Sequence, residues 1–304
     1  MTQKQLTTHL HGIFAPIVTP FNRRGDLDPQ LYRQNLLRYA GSGLAGIVVA
    51  GSTGEAPLLS GPERLRLTEV ARGVLKPPEL LIVGTGLEGT RETLELSRAA
   101  FERGADAVLV VTPNYYKARM DSEALAAHYR TLADMLRRPV IMYNIPQFTG
   151  VRMSPDLIRT LSLYPNIVGL KESSGDLAYV RAILRKVRPG FRVLIGSALI
   201  LLDALRAGAA GGVVSQAGFV PELCVGLYDA FRQRQLKSAR DLQQRLALLA
   251  SQIAIPYGVA GLKVAFELCG YAGGDPRLPL VPLPEAGRRA VAAALREARA
   301  GLEF

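Results

Sequence analysis

The chain has 304 residues, of which 48% are hydrophobic, so it is long enough to bury a large core as one barrel or as two ordinary domains. Its formal net charge is +11, but it has no run of five basic residues and no apolar run of membrane-spanning length, which argues against a nucleic-acid binder and a membrane protein. Cysteines and histidines are few and show no metal-ligand or disulfide spacing, and no strand–GxGxxG–helix unit is present. We therefore expect no metal, cofactor, nucleic-acid or membrane partner, and the polar N-terminus and sparse cysteines predict a cytoplasmic protein.

Short apolar segments, each typical of a buried strand, recur at fairly regular intervals along the chain. Helical patterns separate them and carry start signals such as Asp28, Gly61-Pro62-Glu63 and Ser154-Pro155-Asp156. The predicted strands are residues 13–18, 47–50, 81–84, 108–111, 140–143, 167–170, 193–195 and 212–214. This alternation predicts an α/β fold, a (β/α)8 TIM barrel. An open doubly wound sheet is the alternative, and the missing glycine-rich nucleotide-binding turn disfavours it.

The pattern changes after Val220, where no convincing strand follows. Residues 223–231, 236–254, 261–268 and 285–300 have the periodicity of helices. We therefore predict a catalytic barrel domain over residues 1–231 and a small C-terminal helical extension over residues 232–304.

The most informative stretch is residues 167–176, in which a short β-branched run leads to Lys171 and a small polar loop follows. Burial disfavours a charged ammonium, so a lysine at this place is either paired or functional, and a neutral amine is a nucleophile toward carbonyl groups. A lysine that extends its ammonium to solvent is the alternative interpretation.

In such barrels the active site lies at the carboxyl ends of the strands. The predicted strand ends carry hydroxyls, tyrosines and glycine-flanked amides, at residues 19–21, 51–55, 112–116, 143–146, 171, 196–197 and 215–216. None of them carries a metal-ligand cluster or a pair of carboxylates. Each feature alone has a structural explanation; Glu55, for example, could form a cap or an ion pair, and Tyr143 could be a packed core residue. Together they predict one active site at the mouth of the barrel.

The sequence resembles, over nearly its whole length, the family of Schiff-base pyruvate lyases that includes dihydrodipicolinate synthase and N-acetylneuraminate lyase. The resemblance rests on Gly-Ser-Thr-Gly-Glu at residues 51–55, Tyr-Asn-Ile-Pro at 143–146 with Thr-Gly at 149–150, and Gly-Leu-Lys-Glu at 169–172. Within the family the chain is most similar to 4-hydroxy-2-oxoglutarate aldolase, through residues 112–120, 165–176, 261–263 and 270–274.

The resemblance implies a metal-independent class I aldolase acting on pyruvate-type 2-oxo acids. Lys171 would form the Schiff base and Tyr143 would relay protons, and either Tyr115 or Tyr116 would reach the site of a neighbouring subunit in a homotetramer or dimer. The implied substrate-binding residues are Ser52 and Thr53 for the carboxylate, and Ser173, Gly196 and Ser197 for the distal pocket.

Phe148 is a departure from the family pattern that bears on the substrate. Dihydrodipicolinate synthases usually have an arginine at this place in the Tyr-Asn-x-Pro-x-x-Thr-Gly motif, where it binds the carboxylate of the second substrate. Phenylalanine cannot do this, so the sequence favours cleavage of 4-hydroxy-2-oxoglutarate or a related 2-oxo acid. The condensation of pyruvate with aspartate semialdehyde remains the alternative activity. A non-catalytic, regulatory 2-oxo-acid-binding protein is the alternative of another class, and the presence of both Lys171 and Tyr143 disfavours it.

Overall fold

The computed structural model describes residue 6 and residues 8–301. In this part of the chain eight parallel strands form a closed barrel in sequence order, and β8 pairs with β1. The strands are β1 (Gly12–Pro16), β2 (Gly46–Val49), β3 (Leu80–Gly84), β4 (Ala107–Val111), β5 (Val140–Asn144), β6 (Ile167–Glu172), β7 (Arg192–Ile195) and β8 (Gly211–Gly212). The predicted TIM barrel is therefore confirmed, with strand positions within about two residues of those predicted.

A helix follows each strand and covers the outside of the barrel. These helices are α1 (Pro29–Leu37), α2 (Gly61–Arg72), α3 (Thr90–Glu102), α4 (Ser122–Leu136), α5 (Pro155–Ser162), α6 (Leu177–Leu184), α7 (Leu201–Arg206) and α8 (Pro221–Arg232). Several begin at the predicted polar residues because the side chain accepts hydrogen bonds from the first-turn amides. Asp28 caps α1 and Ser154 caps α5, as predicted, and Ser60, one residue before the predicted start signal of α2, forms a reciprocal capping box with Glu63.

Two layers of apolar side chains result from the alternation along the strands. The larger cluster fills the space between strands and helices, and a smaller one fills the barrel interior. Within β5, for example, Val140 and Met142 belong to the outer cluster, whereas Ile141 and Tyr143 belong to the inner one. Tyr143 is thus directed into the barrel by its position in the strand.

Strand β6 contains an irregularity that determines which of its side chains enter the barrel. Its pairing with β5 skips Val168, which is an extra residue of the bulge type. After the bulge the alternation resumes, and Lys171 lies directly opposite Tyr143. Because paired residues of neighbouring strands share a side of the sheet, Lys171 enters the barrel interior as well.

Strand β8 is shorter than predicted and consists of two glycines, where we expected residues 212–214. A Cβ atom on Gly211 would lie 1.9 Å from the carbonyl oxygen of Gly12 in β1. The closure of the barrel at this point therefore requires a residue without a side chain.

The C-terminal extension consists of α9 (Leu236–Leu249), a π-helical turn (Ala250–Ala254), α10 (Ile255–Leu268) and α11 (Glu285–Arg299). We predicted one helix ending at residue 254 and the next beginning at residue 261, and the backbone does leave helical geometry in this interval, at Gly258 (φ 52°), where two helical segments meet at a kink. The segment Leu236–Leu268 is long and apolar enough to cross a membrane by length and composition alone. However, part of its apolar surface packs into the outer core cluster through residues such as Leu246, Ile253 and Phe266, and this packing accounts for the hydrophobicity of those residues.

Candidate active site

Lys171 and Tyr143 form the centre of the site. The side chain of Lys171 is buried, with 4% of its surface exposed, and its Nζ lies 4.2 Å from the centroid of the Tyr143 ring. In the described part of the chain no carboxylate lies within ion-pairing distance of this nitrogen. A buried amine beside a phenol, without a structural counter-ion, is suited to react with a carbonyl group.

The loop after β2 brings a second hydroxyl to Tyr143. Ser52 Oγ lies 3.3 Å from Tyr143 Oη, within hydrogen-bonding distance, and Thr53 is buried beside it. The amides of Gly54, Glu55 and Ala56 donate within this turn. Those of Ser52 and Thr53 have no backbone acceptor among the described residues, so they remain available for a substrate carboxylate.

Ser173 and Gly196 extend the site on the side of β6 and β7, and Ser197 Oγ lies beside Gly175 in the loop after β6, 3.5 Å from where a Cβ atom on that glycine would be. Ser173 Oγ is buried and has no hydrogen-bond partner among the described residues. A Cβ atom at Gly196 would lie 1.8 Å from this oxygen and 3.3 Å from Lys171 Cε. Only glycine at position 196 therefore leaves room beside the reactive lysine, and the unpaired Ser173 hydroxyl is free to bind a polar group of a ligand.

Behind the central pair, on the outer side of the sheet, lies a second pair that the sequence did not reveal. Asn144 donates to Glu172 Oε1 at 3.2 Å, and the amide of Ser174 donates to the same oxygen at 2.8 Å. Burial raises the pKa of the Glu172 carboxyl above its ordinary value. These bonds tie the ends of β5 and β6 together next to Tyr143 and Lys171.

Three predicted site residues lie at the rim of the site and are exposed to solvent in a single chain. Phe148 follows β5 on a single helical turn (Pro146–Thr149), and 70% of its surface is exposed. Tyr115 and Tyr116 are 77% and 71% exposed, and their rings pack edge to face at 5.1 Å. The structure thus groups Lys171 and Tyr143 with Ser52, Ser173 and Gly196, and leaves the three aromatic residues on the exposed rim.

The C-terminal extension contributes Lys263, a residue that the sequence did not place near the site. Lys263 on α10 is 1% exposed, and its Nζ lies 2.7 Å from Glu55 Oε1. The only signal in the sequence was a lysine within the otherwise apolar stretch 261–266. Glu55 was weighed as a cap or a paired residue, and the structure shows it to be paired.

The model of the Dihydrodipicolinate synthetase family matches residues 9–298. The chain belongs to this family. Members of this family are lyases and aldolases, which agrees with the enzyme class predicted for the chain.

Relatives within the dihydrodipicolinate synthetase family carry two different activity names. A 4-hydroxy-tetrahydrodipicolinate synthase of Methanothrix thermoacetophila is 36% identical over 275 residues, covering 90% of this chain and 92% of the relative. A probable mitochondrial 4-hydroxy-2-oxoglutarate aldolase of Emericella nidulans is also 36% identical, over 294 residues, covering 94% of this chain and 93% of the relative. A solved structure of an E. coli K12 prophage protein of the family, in complex with pyruvate, superposes with a TM-score of 0.90 at 29% identity, covering 95% and 99% of the two chains.

Proposed function

We propose that the chain is a Schiff-base-forming aldolase that cleaves 4-hydroxy-2-oxoglutarate or a related 2-oxo acid and releases pyruvate. The observation that carries this proposal is the buried Lys171 amine beside Tyr143, whose hydroxyl lies 3.3 Å from Ser52 Oγ. The pyruvate bound to the similar E. coli protein supports a 2-oxo acid as the ligand.

The chemistry follows from the imine. The Lys171 amine adds to the 2-oxo carbon, and loss of water leaves a protonated imine that withdraws electrons. When the bond between carbons 3 and 4 breaks, its electron pair is delocalised into an enamine, and the 4-hydroxyl proton passes to a base as the aldehyde leaves. Protonation of the enamine and hydrolysis then release pyruvate and regenerate the amine. Tyr143 is placed to carry these protons, with Ser52 as its partner. The imine supplies the electron withdrawal, so activity should survive exhaustive chelation.

One property of the rim favours cleavage of a 2-oxo acid over condensation with aspartate semialdehyde, and a second offers a contact for the distal carboxylate of 4-hydroxy-2-oxoglutarate. Phe148 occupies the place of the carboxylate-binding arginine and offers only apolar contact. A basic side chain is available on the neighbouring loop, since Lys117 Cδ would lie 3.3 Å from a Cβ atom on Gly150. We propose that Lys117 contacts the distal carboxylate that Phe148 cannot bind.

The synthase reaction is the second candidate, and the names of several relatives at 35–37% identity favour it. The two activities are separated by comparing kcat/KM for retro-aldol cleavage of 2-oxo acids, with pyruvate detection, against kcat/KM for pyruvate with aspartate semialdehyde. A preference for aspartate semialdehyde would transfer the proposal to the synthase.

The proposed role of Lys171 is tested by incubation with pyruvate, reduction with borohydride and mass spectrometry of the peptides. The adduct is expected on Lys171 and should be lost in Lys171→Met. An adduct on Lys117 or Lys263 would contradict the assignment. If no adduct forms and no 2-oxo acid is turned over, the non-catalytic alternative takes over.

We also propose that the chain forms a homotetramer or dimer. The exposed Tyr115 and Tyr116 support this, because large aromatic side chains are enriched at interfaces. Analytical ultracentrifugation at micromolar concentration measures the assembly. A fully active monomer would contradict a tyrosine shared between subunits.

A further inference from the structure

The extension helix α10 reaches the active-site loop through a buried ion pair. The Lys263 ammonium and the Glu55 carboxylate are 1% and 0% exposed and lie 2.7 Å apart. Burial lowers the pKa of the Lys263 ammonium, while the Glu55 charge opposes that change. A buried pair of this kind contributes little net stability compared with an apolar pair, so its presence calls for another explanation.

Glu55 sits at the end of the same turn that carries Ser52. Its backbone has a φ of 60°, a left-handed conformation that a residue with a side chain rarely adopts. Its amide donates to the carbonyl oxygen of Ser52 at 3.1 Å, and its second carboxylate oxygen accepts from the amide of Arg277 at 2.8 Å. The carboxylate therefore holds the turn in a strained shape from the side of the extension.

The other contacts of Lys263 fix it equally firmly. Its Nζ donates to the carbonyl oxygen of Asp275 at 2.7 Å and lies 4.5 Å from the centroid of the Phe21 ring, which follows β1. On the opposite side of the turn, Thr19 Oγ1 donates to the carbonyl oxygen of Gly54 at 2.8 Å. The turn is thus held between the end of β1 and helix α10.

We propose that Lys263 and Glu55 are positioning residues for the Tyr143 proton relay. The contacts form a continuous path: Lys263 holds the Glu55 carboxylate, the Glu55 amide holds Ser52, and the Ser52 hydroxyl meets the Tyr143 hydroxyl. This inference rests on the proposed function of Tyr143. It gives the C-terminal extension a role in the reaction, because a small displacement of a relay group lowers turnover strongly.

The test compares turnover per reactive site. Trapping with pyruvate and borohydride counts the sites in Lys263→Met and in the charge-free double variant Glu55→Gln/Lys263→Met, and kcat is divided by that number. We expect a loss of about tenfold or more in both. Arg72→Met is the matched control. It removes a half-buried ion pair between Asp106 and Arg72, which is the last residue of α2, whereas the turn that carries Ser52 precedes the first residue of that helix. It should lower the melting temperature but not kcat per trapped site.

A double-mutant cycle decides whether the effect passes through Ser52. In a Ser52→Ala background, Lys263→Met should cause little further loss of kcat, because the path to Tyr143 is already broken. Independent, multiplicative losses would overturn the proposal, and so would wild-type turnover per trapped site in the double variant.

Hydrogen exchange provides a measurement that needs no substrate. The amides of residues 54–56 donate within the turn and should exchange faster in Lys263→Met than in Arg72→Met. Equal exchange in the two variants would refute the positioning role. If Lys263→Met does not fold, the same measurements on Glu55→Gln alone decide. A wild-type protein that traps no pyruvate contradicts the proposed function instead, and the exchange comparison still tests the positioning of the turn.

Discussion

The ion pair between Glu63 and Arg277 predicts a specific acid sensitivity. Arg277 on the extension donates to both oxygens of Glu63 at 2.6 and 3.0 Å, and this contact lowers the pKa of Glu63 from 4.5 to about 2. A depressed carboxyl pKa stabilises the fold above the unfolded value and loses that contribution as the pH falls from about 4.5 to about 2. The full shift corresponds to about 3 kcal/mol, of which about 2 kcal/mol would be lost by pH 3. Because the two side chains are 19% and 25% exposed, solvent screening reduces the expected loss to about 1 kcal/mol.

Glu63→Gln isolates this charge, because glutamine preserves the capping box with Ser60. The free energy of unfolding is measured by urea titration between pH 6.5 and pH 3. The difference between wild type and Glu63→Gln should shrink by about 1 kcal/mol over this range. Glu69→Gln on the same helix is the control: its carboxylate is 42% exposed, against 25% for Glu63, so solvent screens its pairs with Arg66 and Arg103 more strongly and most of the wild-type dependence on pH should remain. Parallel loss of stability in wild type and Glu63→Gln would refute the pairing.

Three further predictions concern the site. Tyr143→Phe should reduce kcat by about a hundredfold while the borohydride-trapped adduct still forms, and wild-type turnover would show that the phenol is only packed. Gly196→Ala should reduce kcat/KM by at least about tenfold, because its methyl group would occupy the space of Ser173 Oγ; unchanged kinetics would show that the pocket adapts. Phe148→Arg should raise kcat/KM for aspartate semialdehyde relative to 2-oxo-acid cleavage by about ten- to a hundredfold, and an unchanged ratio would show that this residue does not select the substrate.

Much of the fold could be predicted because its signals are local. The strands are short apolar runs, and the helices between them begin at capping residues such as Asp28 and Ser154. Hydrophobic periodicity and capping residues were therefore sufficient to predict the order of strands and helices. In a parallel barrel the carboxyl ends of the strands lie at the same face. This rule was enough to predict that Lys171, Tyr143 and Ser52 lie in one site, although no contact between them was known.

The features that sequence could not supply depend on tertiary contacts. The interval between the predicted helices at residues 236–254 and 261–268 is narrower than expected, because a π-helical turn (Ala250–Ala254) carries the chain on and the backbone leaves helical geometry only at Gly258. The pairing of Glu55 with Lys263 joins residues far apart in the chain, and no periodic pattern identifies such a partner. The closing strand β8 is too short and too glycine-rich to give a strand signal of its own at its true bounds.

The bulge in β6 has a consequence for any change in the length of this strand. Deletion of Val168 would remove the extra residue and leave the side chains from position 169 onward on their present faces, with Lys171 toward the barrel axis. Deletion of Leu170, only two positions later, would turn Lys171 toward the helices and bring Glu172 to the axis instead. Two equally small deletions would thus leave either an amine or a carboxylate at the centre of the same barrel. When β6 is redesigned, residues are therefore counted from the bulge and not from the start of the strand.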